Sequence, residues 1–192
     1  MNAEVRLGVL ASGKGSNLRN LVERGYQVVA VATNRPSCGA AEFARARRIP
    51  LGEFSQRRFG SVEERDAAMR DWLQLRGVEL LVNAGYDRIL SPPFVAAFAG
   101  RMINVHPSLL PAFGGGMDAV QRALAARVEV TGCTVHLVTD EVDAGPILLQ
   151  AAVPVTPGDT AETLHARIQL EEHRILPEAI DVLAQKSPSI RQ

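Results

Sequence analysis

The chain has 192 residues, 46% hydrophobic and 22% charged, which is the balance of an ordinary globular protein and excludes a disordered or fibrous one. Its 21 basic and 21 acidic residues give a formal net charge of zero, which argues against a nucleic-acid partner. The opening MNAEVRLGVLASG lacks a signal-peptide pattern, and no apolar stretch approaches the roughly 20 residues of a membrane span. We therefore expect a cytoplasmic protein with small-molecule ligands and no membrane association.

Residues 1–100 alternate strand patterns with helix patterns. Strands are predicted over 6–10, 27–33 and 79–85, and helices are predicted from a Ser16 or Asn17 cap, over 38–49 and over 61–77. Continuous apolar strands are typical of a parallel sheet that helices cover on both faces. The alternation predicts an α/β fold with a Rossmann-like, open, mostly parallel sheet and a ligand site at the carboxyl ends of its strands.

The pattern changes in residues 101–192. Strands are predicted over 101–106, 132–139 and 146–155, followed by a helix from the Asp159/Thr160 cap to residue 185 and a polar tail. The last two strands surround an acidic turn, so we expect an antiparallel extension of the sheet in this C-terminal half. No flexible linker separates the halves, and we predict one domain over residues 1–192 with a seam near residue 100.

The glycine-rich stretch SGKGSN, residues 12–17, follows a predicted strand and opens a helix. Backbone N–H groups and the positive end of the helix can hold an anion in such a loop, and Lys14 adds charge. The stretch lacks a complete dinucleotide-binding pattern, because Leu18 stands where a third glycine would fall. A phosphate site is favoured here over an ordinary tight turn.

Asn104 and His106 are polar residues in the apolar strand that ends at Pro107. Strand side chains alternate between faces, so this pair shares one face while Ile103 and Val105 point into the core. An amide donor beside an imidazole suits acyl transfer, where an oxygen gains negative charge and a proton must move. Alone, the histidine could instead be a hydrogen-bonded structural residue.

Three further observations concern acids and cysteines. One acid among Asp140, Glu141 and Asp143 would matter only if it approached His106, since acidic turns are common. Glu172 falls on the apolar stripe of the last helix, where it needs either a ligand or a structural partner such as an Arg.

Cys38 and Cys133 lack metal-ligand spacing, so we expect free thiols and no metal.

With these residues assembled, the chain resembles the phosphoribosylglycinamide formyltransferases, folate-dependent enzymes of purine synthesis, nearly from end to end. The motifs that carry the resemblance are ASGKGSNL, NAGYDRILSP, INVHPSLLPAF, GCTVHLVTDEVDAGPILLQ and EEHRILPEAI. Other enzymes that use 10-formyltetrahydrofolate share part of them, whereas the SGxGSN loop and the EEH helix point to this family.

The resemblance implies a role for each candidate residue. The catalytic residues would be Asn104, His106 and Asp143. The substrate phosphate would lie on Ser12, Gly13, Lys14, Gly15, Ser16 and Asn17, and Glu172 would hold ribose hydroxyls. The folate would contact Arg88, Ile89, Leu90, Asn104, Val138, Thr139, Asp140 and Asp143. It also implies a phosphate-binding half at 1–100, a catalytic and folate-binding half at 101–192, no metal, and a possible homodimer.

The chain departs from the family pattern in three places. Val62 stands where many members have an Arg that contacts the cofactor, and we expect Arg65, one turn on, to substitute. Asp87 replaces a residue that is commonly apolar. Gly114–Gly116 replace a Phe-Pro-Gly segment, so we expect a more mobile loop over the site.

Two other function classes are compatible with the motifs. A 10-formyltetrahydrofolate hydrolase, or another formyltransferase such as one acting on methionyl-tRNA, would share the three catalytic residues. A binding module that kept the fold without the chemistry would not need them. We expect a formyltransferase, because the three residues are present together and no extra domain is recognisable.

Overall fold

The structure is a computed structural model, and it describes residues 5–186. The strands are β1 (Leu7–Leu10), β2 (Val28–Thr33), β3 (Leu51–Glu53), β4 (Leu80–Asn83), β5 (Met102–His106), β6 (Val130–Leu137) and β7 (Ile147–Pro154). The helices are α1 (Ser16–Glu23), α2 (Gly39–Ala46), α3 (Val62–Leu75), α4 (Pro92–Ala97), α5 (Ala119–Ala125) and α6 (Ala161–Lys186), with a short 3₁₀ helix at Gln56–Arg58. Residues 1–4 and the end of the predicted polar tail, 187–192, lie outside the described part.

The seven strands form a sheet in the order β3-β2-β1-β4-β5-β6-β7. Strands β1 to β5 pair in parallel, whereas β5–β6 and β6–β7 are antiparallel. The prediction of a mostly parallel sheet with an antiparallel extension is therefore confirmed. All four residues of β1, at the centre of the parallel part, are buried, as expected for a strand covered on both faces.

Helices cover the sheet from two sides, each with its own buried cluster. Residues of α1, α2, α5 and α6 pack on one face, and residues of α3 and α4 pack on the other. Ile103 and Val105 belong to the first cluster, while Met102 belongs to the second. The alternation along β5 therefore directs Asn104 and His106 away from Ile103 and Val105, toward the face that carries α3 and α4.

Helix starts differ from the predicted caps in one case and agree in another. Helix α1 begins at Ser16, and its N-cap is Gly15 at φ 76 with no side-chain cap, so the predicted Ser16 or Asn17 cap is wrong. A left-handed backbone suits glycine, and this glycine makes the turn itself. The Ser61 cap of α3 is confirmed, since its side chain accepts a hydrogen bond from the Glu64 N–H at 3.1 Å.

Sequence patterns did not reveal β3, α4 or α5, each of which has seven residues or fewer. Such short elements carry too few residues for a clear periodicity. In residues 5–186, no helix combines the length and the apolar character required to cross a bilayer.

Candidate active site

A cavity of about 350 Å³ opens at the carboxyl ends of the parallel strands β4 and β5. Its lining comes from residues in four stretches, namely 83–90, 104–107, 115–117 and 136–143, together with Val95. The parallel sheet predicts a ligand site at this edge. A cavity of this size falls in the range that holds small organic ligands.

Asn104, His106 and Asp143 meet at the wall of this cavity. Nδ1 of His106 lies 3.4 Å from Oδ2 of Asp143, and the Nδ2 group of Asn104 donates to Oδ1 of the same carboxylate at 3.3 Å. The His106 side chain is 6% exposed and that of Asp143 10%, so little water screens the pair. Asp143 is thus the acid that approaches the imidazole, whereas Asp140 and Glu141 line the rim and are exposed.

Both ring nitrogens of His106 face oxygen atoms. Nε2 lies 3.1 Å from the carbonyl oxygen of Phe113, whose backbone takes a positive φ of 58°. A carbonyl oxygen only accepts, so the imidazole donates from Nε2. Nδ1 faces the Asp143 carboxylate, so both ring nitrogens are directed at acceptor oxygens.

Asp143 keeps its charge despite its burial. Burial alone would raise its pKa, but contacts with His136, the Gly115 N–H and the charge of His106 outweigh it and hold the pKa below the ordinary value. The Gly115 N–H donates to Oδ2 of Asp143 at 2.8 Å. Asp143 itself has φ 55°, a left-handed conformation that aims its side chain into the cavity from a tight turn.

His136 is a fourth polar residue of this cluster, and no local sequence pattern indicates it. It pairs with Asn104 across the antiparallel strands β5 and β6. Its Nε2 lies 3.1 Å from Nδ2 of Asn104 and 3.6 Å from Oδ1 of Asp143, and its Nδ1 lies 2.9 Å from the Leu137 carbonyl oxygen. The ring is 2% exposed. The Leu137 carbonyl oxygen only accepts, so Nδ1 of the ring donates to it.

The glycine-rich loop lies beside the cavity. The Ser12 hydroxyl donates to Oδ1 of Asn34 at 2.5 Å and accepts from the Asp87 N–H at 3.0 Å, which ties the loop to a residue of the cavity wall. A Cβ on Gly15 would meet Ala40 at 2.8 Å, whereas a Cβ on Gly13 would meet nothing within 4 Å. Within residues 5–186, none of the backbone N–H groups of 13–17 has an acceptor. These groups remain available for an anion.

Glu172 is 5% exposed and bonds to this loop rather than to an Arg. Its Oε2 accepts from Nδ2 of Asn17 at 2.9 Å, and burial raises the pKa of the carboxyl. The Oδ1 atom of Asn17 is buried and has no hydrogen-bond partner in the described residues. The two side chains therefore place an unsatisfied acceptor and a carboxylate beside the free N–H groups of the loop.

The residues proposed to contact folate all line the cavity. They come from two stretches of the lining, one with Arg88, Ile89 and Leu90 and the other with Val138, Thr139 and Asp140. Ile89, Met117 and Val142 are exposed apolar side chains at the rim, with exposed fractions of 77%, 70% and 52%. Exposed apolar side chains at the rim of a cavity suit a flat aromatic ligand.

Two of the three departures from the family pattern are at Val62 and Asp87. Val62 is 39% exposed, and Arg65 does not reach the cavity, because its side chain is 2% exposed and pairs with Asp66. The expectation that Arg65 replaces the missing cofactor contact is therefore wrong. Asp87 accepts from Nδ2 of Asn34 at 2.7 Å and forms an ion pair with Arg35.

Two hydrogen bonds hold the glycine run Gly114–Gly116 in place. The Gly115 N–H bonds to Asp143, and the Gly114 carbonyl accepts from Nη1 of Arg122 at 2.9 Å. Gly115 has φ 79°, a conformation that favours glycine. The run therefore bonds directly to the Asp143 carboxylate.

Comparison with known proteins identifies the family of this chain. A family model described as formyl transferase matches residues 5–180. The chain is 45% identical over 188 residues to a phosphoribosylglycinamide formyltransferase of Mycobacterium tuberculosis, covering 95% of this chain and 86% of that protein. It is 42% identical to the trifunctional purine biosynthetic protein adenosine-3 of Gallus gallus, covering 94% of this chain and spanning 18% of that much longer relative.

A solved structure gives the same result at the level of the fold. Glycinamide ribonucleotide transformylase 1 from Symbiobacterium toebii superposes with a TM-score of 0.91 at 44% identity, covering 97% of this chain and 90% of that one. The match extends over nearly the whole of both chains. This protein therefore belongs to the formyl transferase family, among the phosphoribosylglycinamide formyltransferases.

Proposed function

We propose that this protein transfers the formyl group of 10-formyltetrahydrofolate to the amine of N1-(5-phospho-D-ribosyl)glycinamide in purine biosynthesis. The observation that carries the proposal is the convergence of Asn104, His106 and Asp143 on one cavity, next to a glycine loop with free N–H groups. We further propose that residues 1–192 form one domain that acts in the cytoplasm on small molecules.

The residues fit the two ligands separately. The apolar wall around Ile89 and Val138 would hold the folate ring, and Arg88, whose side chain is 56% exposed and whose Nε lies 3.7 Å from Oδ1 of Asp87, would face the ligand at the rim. The backbone of 13–17 and Lys14 would hold the phosphate. Glu172 and the unsatisfied Oδ1 of Asn17 would accept hydrogen bonds from ribose hydroxyls.

The bound 10-formyltetrahydrofolate supplies an activated formyl group, and the protein stabilises the charge that develops on its oxygen. In the proposed reaction the amine nitrogen bonds to the formyl carbon, the bond from that carbon to N10 breaks, and one proton passes from the amine to N10. His106 would donate a hydrogen bond to the oxygen from Nε2, which points at the Phe113 carbonyl in this structure. The Phe113 carbonyl oxygen accepts at the position where the formyl oxygen would bind, so the formyl oxygen would displace it.

Asn104 and Asp143 would complete the site. The amide of Asn104 would donate to the same oxygen, exchanging one of its bonds to Asp143 or His136. Asp143 would hold His106 in its charged form and, through water, relay the proton of the amine. No covalent bond to the protein is required in this scheme.

The test is a turnover assay with 10-formyltetrahydrofolate, with and without glycinamide ribonucleotide, following release of the folate product. We expect release that depends strictly on the amine. Release without the amine would identify a hydrolase, and no release in either case would identify a binding module. Either of those two results overturns the proposal.

A further inference from the structure

Helix α3 contains a fully buried ion pair that the proposed chemistry does not use. Arg65 and Asp66 are adjacent, with side-chain exposures of 2% and 0%, and Nη2 of Arg65 lies 2.6 Å from Oδ1 of Asp66. Burying two charges carries a large desolvation penalty, which close pairing and further hydrogen bonds must offset. The hydrogen bonds that the other donors and acceptors of this pair make are therefore part of what stabilises it.

Two of those remaining groups bond to residues 88–91, here called the wall segment, of which 88–90 line the cavity. Nη2 of Arg65 donates to the Ile89 carbonyl oxygen at 3.4 Å, and Oδ2 of Asp66 accepts from the Ser91 N–H at 2.6 Å. Nη1 of Arg65 donates to Oε1 of Gln56 in the 3₁₀ helix at 3.1 Å. The pair thus holds two backbone groups of the wall segment 88–91, one on each side of Leu90.

Side-chain burial alone does not hold this wall segment. The side chain of Arg88 is 56% exposed and Ile89 is 77% exposed, while Leu90 is only partly buried. The guanidinium is planar, and its donors have fixed directions, so it bonds to Asp66, Gln56 and Ile89 at once and fixes their relative positions. A lysine would keep the charge opposite Asp66 but would lose this geometry.

We propose that Arg65 and Asp66 are positioning residues for the folate-binding wall. They would act through the backbone of Ile89 and Ser91 and would not touch a ligand. The inference rests on the proposed function, because it assigns the wall segment to the folate.

The test compares Arg65→Lys with the control Arg70→Lys. Arg70 pairs with the adjacent Asp71 in the same helix, but that pair is partly exposed, and neither residue lines the cavity. For Arg65→Lys we expect the KM for 10-formyltetrahydrofolate to rise about tenfold, as for loss of one or two buried hydrogen bonds. The kcat and the KM for glycinamide ribonucleotide should stay within about twofold, and the control should match the parent protein.

Two further variants separate positioning from folding. The double variant Arg65→Met/Asp66→Asn removes both charges and leaves no unpaired buried ion, and Gln56→Ala removes a single partner of the guanidinium. Both should raise the KM for 10-formyltetrahydrofolate selectively, Gln56→Ala by less. If the folded variants keep the parent KM for that ligand, or if both KM values rise equally, the inference is wrong. If the parent protein itself shows no formyl transfer, the proposed function fails instead.

Discussion

Oδ2 of Asp143 lies 3.4 Å from Nδ1 of His106, although the two residues come from a turn after β6 and from the end of β5. Strand β6 is antiparallel to β5 and ends at Leu137, opposite Ile103. The turn that follows β6 therefore extends back along β5, and this brings the Asp143 carboxylate to His106 at the other end of that strand. The expected chemistry depends on this contact.

Replacing the imidazole should abolish most of the activity. For His106→Ala we expect kcat to fall by about 10²–10⁴-fold, the typical contribution of a positioned proton donor, while both KM values change little. Steady-state kinetics with each substrate varied in turn measure this. A variant that retains near-parental turnover would remove His106 from the mechanism.

Loss of the amide donor at Asn104 should also slow the reaction. We expect Asn104→Ala to lower kcat by about 10²–10³-fold, as for other donors to a developing oxyanion. Asn104→Asp has nearly the same shape but places a negative charge beside Asp143, so its kcat should be lower still. Equal activity of Asn104→Asp and the parent enzyme would contradict the assignment.

The pKa of Asp143 should appear in the pH dependence of stability. Its folded-state pKa lies below the ordinary value, so its carboxylate stabilises the fold at neutral pH. That contribution is present above the unfolded-state pKa and is lost as the pH falls through the folded-state pKa. Asp143→Asn should therefore lose less stability on acidification than the parent protein. Urea denaturation between roughly pH 3 and pH 7 measures the free energy of unfolding of both.

Glu172 should show the opposite sign, because burial raises its pKa. The folded protein then binds the proton more tightly than the unfolded chain, so stability falls as the pH rises from the unfolded-state pKa through the folded-state one. Glu172→Gln still accepts from Asn17 and should raise the free energy of unfolding at neutral pH. The same change should raise the KM for glycinamide ribonucleotide about tenfold by removing a charged acceptor.

The two effects of Glu172→Gln distinguish a ligand-binding carboxylate from a structural one. Denaturation curves at neutral pH and steady-state kinetics are measured on the same preparation. A more stable enzyme with an unchanged KM for the ribonucleotide would show that Glu172 serves only the packing of α6 against α1.

The hydroxyl of Tyr86, a residue of the cavity lining, offers a test of stability. It is buried without a hydrogen-bond partner among the described residues, and burial raises the pKa of Tyr86 to about 12. An unsatisfied buried hydroxyl costs about 1–3 kcal/mol, so Tyr86→Phe should increase the free energy of unfolding by about 1 kcal/mol. Thermal unfolding detects this as a higher Tm, and a lower Tm would mean that the hydroxyl has a partner.

Local patterns in the sequence reached much of the site. The alternation in Ile103–His106 places Asn104 and His106 on the face opposite Ile103 and Val105, as the structure shows. The loop from Ser12 to Asn17 was recognisable from its position between a strand and a helix. Both inferences concern residues close together in the chain, where backbone geometry fixes the relative directions of side chains.

Other members of the site depend on register between distant segments. His136 lies in a strand whose existence was predicted, but only its pairing opposite Asn104 brings it to the cluster. Arg65 follows Val62 by one helical turn, and this spacing predicted a contact with the folate. In the structure, α3 directs the Arg65 side chain into the interior, where it contacts Asp66 and Gln56. Helical spacing shows that two residues share a helix face, but it does not show which part of the protein that face contacts.

The sequence by itself determined the alternation of strands and helices, the switch to antiparallel strands, and the polar residues in apolar surroundings, since each follows from the chemistry of neighbouring residues. The tertiary structure decided which of three acids meets His106, that His136 joins it, and that Asn17 is the partner of Glu172. Such contacts depend on strand register and on helix orientation about its axis. Both are set by the packing of the whole core, which no short stretch of sequence contains.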